Sequence, residues 1–101
     1  MSENTNLKIA LDNASDLFNN NNLNECIEQL EEILNIHPSN LKASSLLLDI
    51  NIKLNRAEKA LKIIKKLIQL EPDSKEHHEK LVKVYQFLND NRAYELSLIH
   101  I

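Results

Sequence analysis

Leu7, Ala10, Leu11, Ala14, Leu17 and Phe18 recur at spacings of three and four, the period of a helix with one apolar face, and predict a helix over residues 5–18. Asn19, Asn20, Asn21 and Asn22 follow. Asn side chains compete for backbone hydrogen bonds and tolerate turn geometry, so the helix is expected to break there. A second helix is predicted over residues 24–36, with Leu23, Cys26, Ile27, Leu30, Ile33 and Leu34 on its apolar side and Glu25, Glu28, Glu31 and Glu32 on its solvated side. Pro38 ends it, because the residue before a proline is pushed out of helical geometry. The cycle then repeats: helices over 40–54 and 56–70, a fifth over 74–88 with Leu81, Val82, Tyr85 and Leu88 inward, and a sixth from residue 91 onward. Asn55 with Glu58, and Asp73 with Glu76, have the spacing of capping boxes, in which each side chain satisfies a free amide at a helix start.

Pro38 and Pro72 lie 34 residues apart in matching contexts, Asn-Ile-His-Pro-Ser-Asn and Gln-Leu-Glu-Pro-Asp-Ser. A helix–turn–helix unit of that period cannot bury its apolar face alone and stacks on its neighbours. The expected architecture is all-α: about six helices in antiparallel pairs stacked as a solenoid. The whole chain, residues 1–101, forms one domain with units at 7–40, 41–74 and an incomplete 75–101.

Composition narrows the chemistry. The chain has no Gly and two Pro, and without Gly the phosphate-cradling loop and the dinucleotide fingerprint are excluded. The net charge of −3 divides unevenly, as −5 over residues 7–40, +3 over 41–74 and zero over 75–101. One cysteine allows no internal disulfide, and Met1 to Asn6 has neither a basic start nor an apolar run. A reducing, cytoplasmic setting with no membrane span is expected.

The candidate chemical residues read as structural. Cys26 lies on the apolar side of its helix, where a thiol packs as a small hydrophobe. His77 and His78 are adjacent and diverge by about 100 degrees around a helix, whereas metal pairs on one helix want spacings of three or four. Lys59, Lys62, Lys65 and Lys66 make one helix face basic, but no aromatic residue interleaves them and the chain is acidic. The glutamates of the preceding unit are expected to answer these lysines, so no nucleic-acid partner is predicted. No Ser, His and carboxylate set carries a local catalytic signature. No enzyme activity, cofactor or metal is expected.

The run from Leu54, Asn55, Arg56, Ala57, Glu58, Lys59, Ala60 and Leu61 through Leu70, Glu71, Pro72, Asp73 and Ser74 resembles the second half of a tetratricopeptide repeat. The small-then-large pattern of that family's second helix is kept as Cys26 with Leu30 and Ala60 with Ile64. Tyr94 with Leu98 departs from it by placing a ring where Ala is usual. The first-helix places hold Ala10, Asn13, Ala14 and Leu17, then Ser44, Leu47, Leu48 and Asn51, then His78, Leu81, Val82 and Tyr85.

The resemblance implies a right-handed superhelix whose concave groove, lined by the first helix of each unit, holds a peptide or partner protein. Carried onto this chain, the groove residues are Lys8, Leu11, Ser15, Phe18 and Asn19, then Lys42, Ser45, Asp49, Ile52 and Lys53, then Glu76, Glu79, Lys83, Gln86 and Phe87. One subgroup of the family grips the C-terminal carboxylate of chaperones with Lys, Asn and Arg. The corresponding places here are Leu11, Ser15, Leu46, Glu76 and Lys80, which do not supply the converging donors a carboxylate needs.

Two functions follow. The first is a non-catalytic scaffold that binds a protein or peptide segment. The alternative is an N-terminal accessory or self-association module of a larger enzyme such as a transferase. The chain is expected to be a fragment that is marginally stable or self-associates through its C-terminal edge. Leu96 to Ile101 resembles a translated sequencing adapter, so the natural sequence is expected to diverge near Glu95.

Overall fold

In the computed structural model the backbone is described for residues 2–99 and the side chains for residues 6–89. Five helices follow one another: α1 (Ser2–Asn19), α2 (Leu23–Ile36), α3 (Leu41–Lys53), α4 (Ala57–Leu70) and α5 (Lys75–Ile99). Among the described residues there is no strand. The fold is all-α, and the chain divides into two compact units, Met1–Ile50 and Asn51–Ile101.

Two kinds of turn alternate. After α1, the Asn22 amide donates to the Leu17 carbonyl at 2.8 Å and the Asn21 amide to Phe18 at 3.1 Å. After α3, the Arg56 amide donates to Asn51 at 2.8 Å and the Asn55 amide to Ile52 at 3.0 Å. Both are the paired closure that ends a helix on a left-handed residue, and Asn21 (φ 62°) and Asn55 (φ 59°) hold that conformation. The proline turns close differently. The Asn40 side-chain oxygen accepts from the Ala43 amide at 2.8 Å, and the Ser74 hydroxyl accepts from the His77 amide at 3.3 Å. Asn40 and Ser74 are therefore N-caps that satisfy amides left free at the starts of α3 and α5.

These turns correct both expected capping boxes. Asn55 closes α3 in left-handed geometry, and the N-cap of α4 is Arg56, which makes no side-chain cap bond. The cap of α5 is Ser74 and not Asp73, so the residue it serves is His77 and not Glu76.

In the first unit α1 packs on α2, and Ala14, Cys26, Leu30, Ile33, Ala43 and Ile50 form the core, with Leu7, Ala10, Leu11, Leu17 and Phe18 of α1 packed against it. In the second unit α4 packs on α5. Its buried apolar residues are Ala57, Ala60, Ile64 and Leu67 of α4 and Val84 of α5. Most of this burial repeats at 34 residues: Cys26 and Ala60, Leu30 and Ile64, Ile33 and Leu67, Ile50 and Val84.

The expected sixth helix is not a separate element. α5 runs unbroken for 25 residues through Asn89, Asp90 and Asn91, where the third turn was expected. The left-handed conformation costs an L-residue roughly 1–2 kcal/mol, a cost that Asn lowers by local hydrogen bonding, whereas carrying Asn within a helix costs no more than about 0.7 kcal/mol relative to Ala. The first turn offsets its cost by packing α2 on α1, where the Cys26 thiol meets the Ala14 carbonyl; the third unit carries Tyr94 at the matching position of the sequence. The inward face of α5 is corrected as well. His77 and Val84 are buried and Leu81 and Leu88 half-buried, while Val82 and Tyr85 are exposed.

Candidate functional site

The fifteen residues expected to line a groove fall on α1, α3 and α5. Within each helix they recur at three and four, which places each set on one face. On α1, Lys8 and Asn19 are exposed and Leu11, Ser15 and Phe18 half-buried; on α3, Lys42 and Lys53 are exposed and Ser45, Asp49 and Ile52 half-buried. On α5, Glu76, Glu79, Lys83 and Gln86 are exposed and Phe87 is half-buried. None of the fifteen is buried, while the same helices bury Ala14, Ala43, Leu48 and Val84 elsewhere on their surfaces. Each strip thus joins a half-apolar floor to a charged or amide rim. That suits a peptide, whose backbone needs hydrogen-bond partners and whose side chains need shallow apolar contact.

Cys26 is fully buried, and its thiol donates to the Ala14 carbonyl at 3.1 Å, tying α2 to α1. Burial pushes the thiol above its ordinary value, with a backbone hydrogen bond from Phe18 pulling the other way. A protonated, enclosed thiol is a poor nucleophile. His77 and His78 diverge: His77 is 6% exposed and its Nε2 lies 2.9 Å from Glu71 Oε1, while the exposed His78 meets the Pro72 carbonyl at 2.8 Å. Both fasten the first turn of α5 to the preceding proline turn. Among the described residues no group of three His, Cys, Asp or Glu is placed to hold a metal ion, and no helix is long and apolar enough to cross a membrane.

A cleft of about 340 Å³ opens between α1 and α2, lined by Asn6, Leu7, Ala10, Gln29, Glu32, Ile33, Ile36 and His37. The glutamate side of α2 and Lys59, Lys62, Lys65 and Lys66 on α4 are solvated faces.

The 34-residue correspondence of turns, caps and buried positions is what decides the family, together with a match to the tetratricopeptide repeat family model over residues 17–84. This chain belongs to the tetratricopeptide repeat family. No curated protein and no solved structure matches it. Tetratricopeptide repeat domains generally mediate protein–protein interaction and are typically non-catalytic scaffolds, so a protein partner is the general expectation for this member.

Sequence reasoning missed three features of this tetratricopeptide repeat chain. The left-handed residues were missed, Asn21 within a run of four Asn and Asn55 by its reading as a helix cap, although Asn21, Asn55 and Asn89 are 34 residues apart. The N-cap Ser74 was passed over for the neighbouring Asp73 and no cap was assigned to Asn40, although both lie two residues after a proline. His77 is buried because it occupies the place of Ala43, a correspondence visible once the units are aligned on their prolines.

Proposed function

We propose that this tetratricopeptide repeat chain is a non-catalytic interaction module that binds a peptide or protein segment along the strips on α1, α3 and α5, in a cytoplasmic setting. The proposal takes from the family the right-handed stacking of helix pairs and the groove lined by first helices. The carrying observation is that none of the fifteen strip residues is buried while their helices bury other faces. Leu11 and Phe18 pack against the core of the first unit, while Lys8, Asn19, Lys42, Lys53, Glu76, Glu79, Lys83 and Gln86 are exposed. Charge along the strips is mixed, Lys8, Lys42, Lys53 and Lys83 against Asp49, Glu76 and Glu79, so the segment favoured carries both signs and a few apolar anchors.

Quantitative capture from source-cell extract tests this with three baits: the unmodified chain, a strip variant (Lys8→Glu, Lys42→Glu, Lys83→Glu) and an outer-face variant (Glu28→Lys, Lys62→Glu). Proteins lost from the strip variant and retained by the outer-face variant support the proposal. The opposite selectivity, or equal recovery on all three, overturns it.

A further inference from the structure

Val82 and Tyr85 form an exposed apolar patch on α5, 57% and 45% accessible. Their repeat counterparts are covered. Residue 82 stands 34 after Leu48 and 68 after Ala14, both fully buried, and residue 85 stands 34 after Asn51, which is 4% accessible. In the first unit the cover comes from α2: the chain reverses at left-handed Asn21, and Cys26 comes to rest against the Ala14 carbonyl. The register is antiparallel, residue 14 against residue 26. The equivalent cover for residue 82 is the segment around residue 94, and the equivalent hinge is Asn89. Because α5 continues straight through Asn89, residue 94 lies roughly 18 Å along the axis from residue 82 at about 1.5 Å per residue. It cannot cover its own chain's patch.

We propose that residues 91–99 of a second copy cover it: two chains pair through antiparallel α5 helices, each covering the other's Val82 and Tyr85. This exchange forms the contacts a fold-back would form, without a left-handed residue at Asn89. Tyr94 selects the exchange over the fold-back. A short reverse turn fixes how closely two helices of one chain approach and favours a small residue there, as Cys26 provides against the Ala14 carbonyl. Helices of separate chains set their own spacing and accommodate a ring. Asn89 is then the hinge between exchanged and closed forms.

Sedimentation of four forms of the 101-residue chain tests the proposal. The unmodified chain is expected to be a dimer with a concentration-dependent dissociation. Val82→Glu with Tyr85→Glu is expected to be a monomer of unchanged helicity, since both side chains are already solvent-exposed in the single chain. Glycine favours the left-handed turn and disfavours the straight helix, so Asn89→Gly should raise the dimer dissociation constant on the order of tenfold or more relative to Asn89→Ala. A monomeric unmodified chain, or a dimer that survives the double Glu variant, overturns the interface. Equal dissociation constants for Asn89→Gly and Asn89→Ala overturn the exchange through a straight α5.

Discussion

The imidazole of His77 and the carboxylate of Glu71 meet at 2.9 Å across the turn that joins α4 to α5. A carboxylate only accepts, so Nε2 carries the hydrogen, and Nδ1 is left buried with no hydrogen-bond partner. Removing Glu71 strands both ring nitrogens. Glu71→Ala is expected to destabilise the fold by about 1–3 kcal/mol. His77→Ala supplies the residue found at Ala43, deletes the unpaired atom together with the bond and is expected to cost less. Urea midpoints of the two variants check the order, and an equal or larger loss for His77→Ala contradicts it.

The left-handed turns carry a second prediction. Asn21 and Asn55 sit at φ 62° and 59°, a conformation glycine reaches without steric cost and β-branched residues reach only with strain. Asn55→Gly should be neutral or stabilising by up to about 1 kcal/mol, and Asn55→Val destabilising by about 1–2 kcal/mol. Thermal denaturation of the pair gives the test. A Val variant as stable as the Gly variant means that the turn is not held in left-handed geometry.

Cys26 sets a pH dependence. Its folded pKa is raised above the ordinary 9.0 by burial, so above that value the unfolded chain loses its thiol proton before the folded chain does. Stability from this group is complete below pH 9.0 and is lost as pH rises toward the folded pKa. Cys26→Ala, which copies Ala60, should flatten that part of the profile. Denaturant midpoints measured on both sides of the range decide it, and parallel profiles for the two chains refute the burial account.

Ala60 is fully buried on α4 between Ala57 and Ile64. Enlarging it forces the surrounding side chains off their rotamers, so Ala60→Leu should cost roughly 1–3 kcal/mol. An unchanged melting temperature would show space beside Ala60 that its burial denies.

Much of this fold was legible because helical period and proline spacing are local signals. Leu30 and Ile33 were placed inward by period alone and are buried. α5 was less legible because its inward face is set by what covers it. Val82 and Tyr85 have the period of a core stripe, yet the helix that covers the matching places in the first unit is not folded back here. The strip residues were legible only through the resemblance, since solvated positions leave no mark on hydrophobic period and no single residue among them implies a partner.

Amide chemical-shift mapping with a peptide selected from a random display library tests the interaction account most directly. The account predicts that shifts cluster on the α1, α3 and α5 strips, at Lys8, Leu11, Ser15, Lys42, Ser45, Asp49, Glu79 and Lys83, while Glu25, Glu28, Lys59 and Lys62 stay unmoved. Shifts confined to the outer faces of α2 and α4 would contradict it.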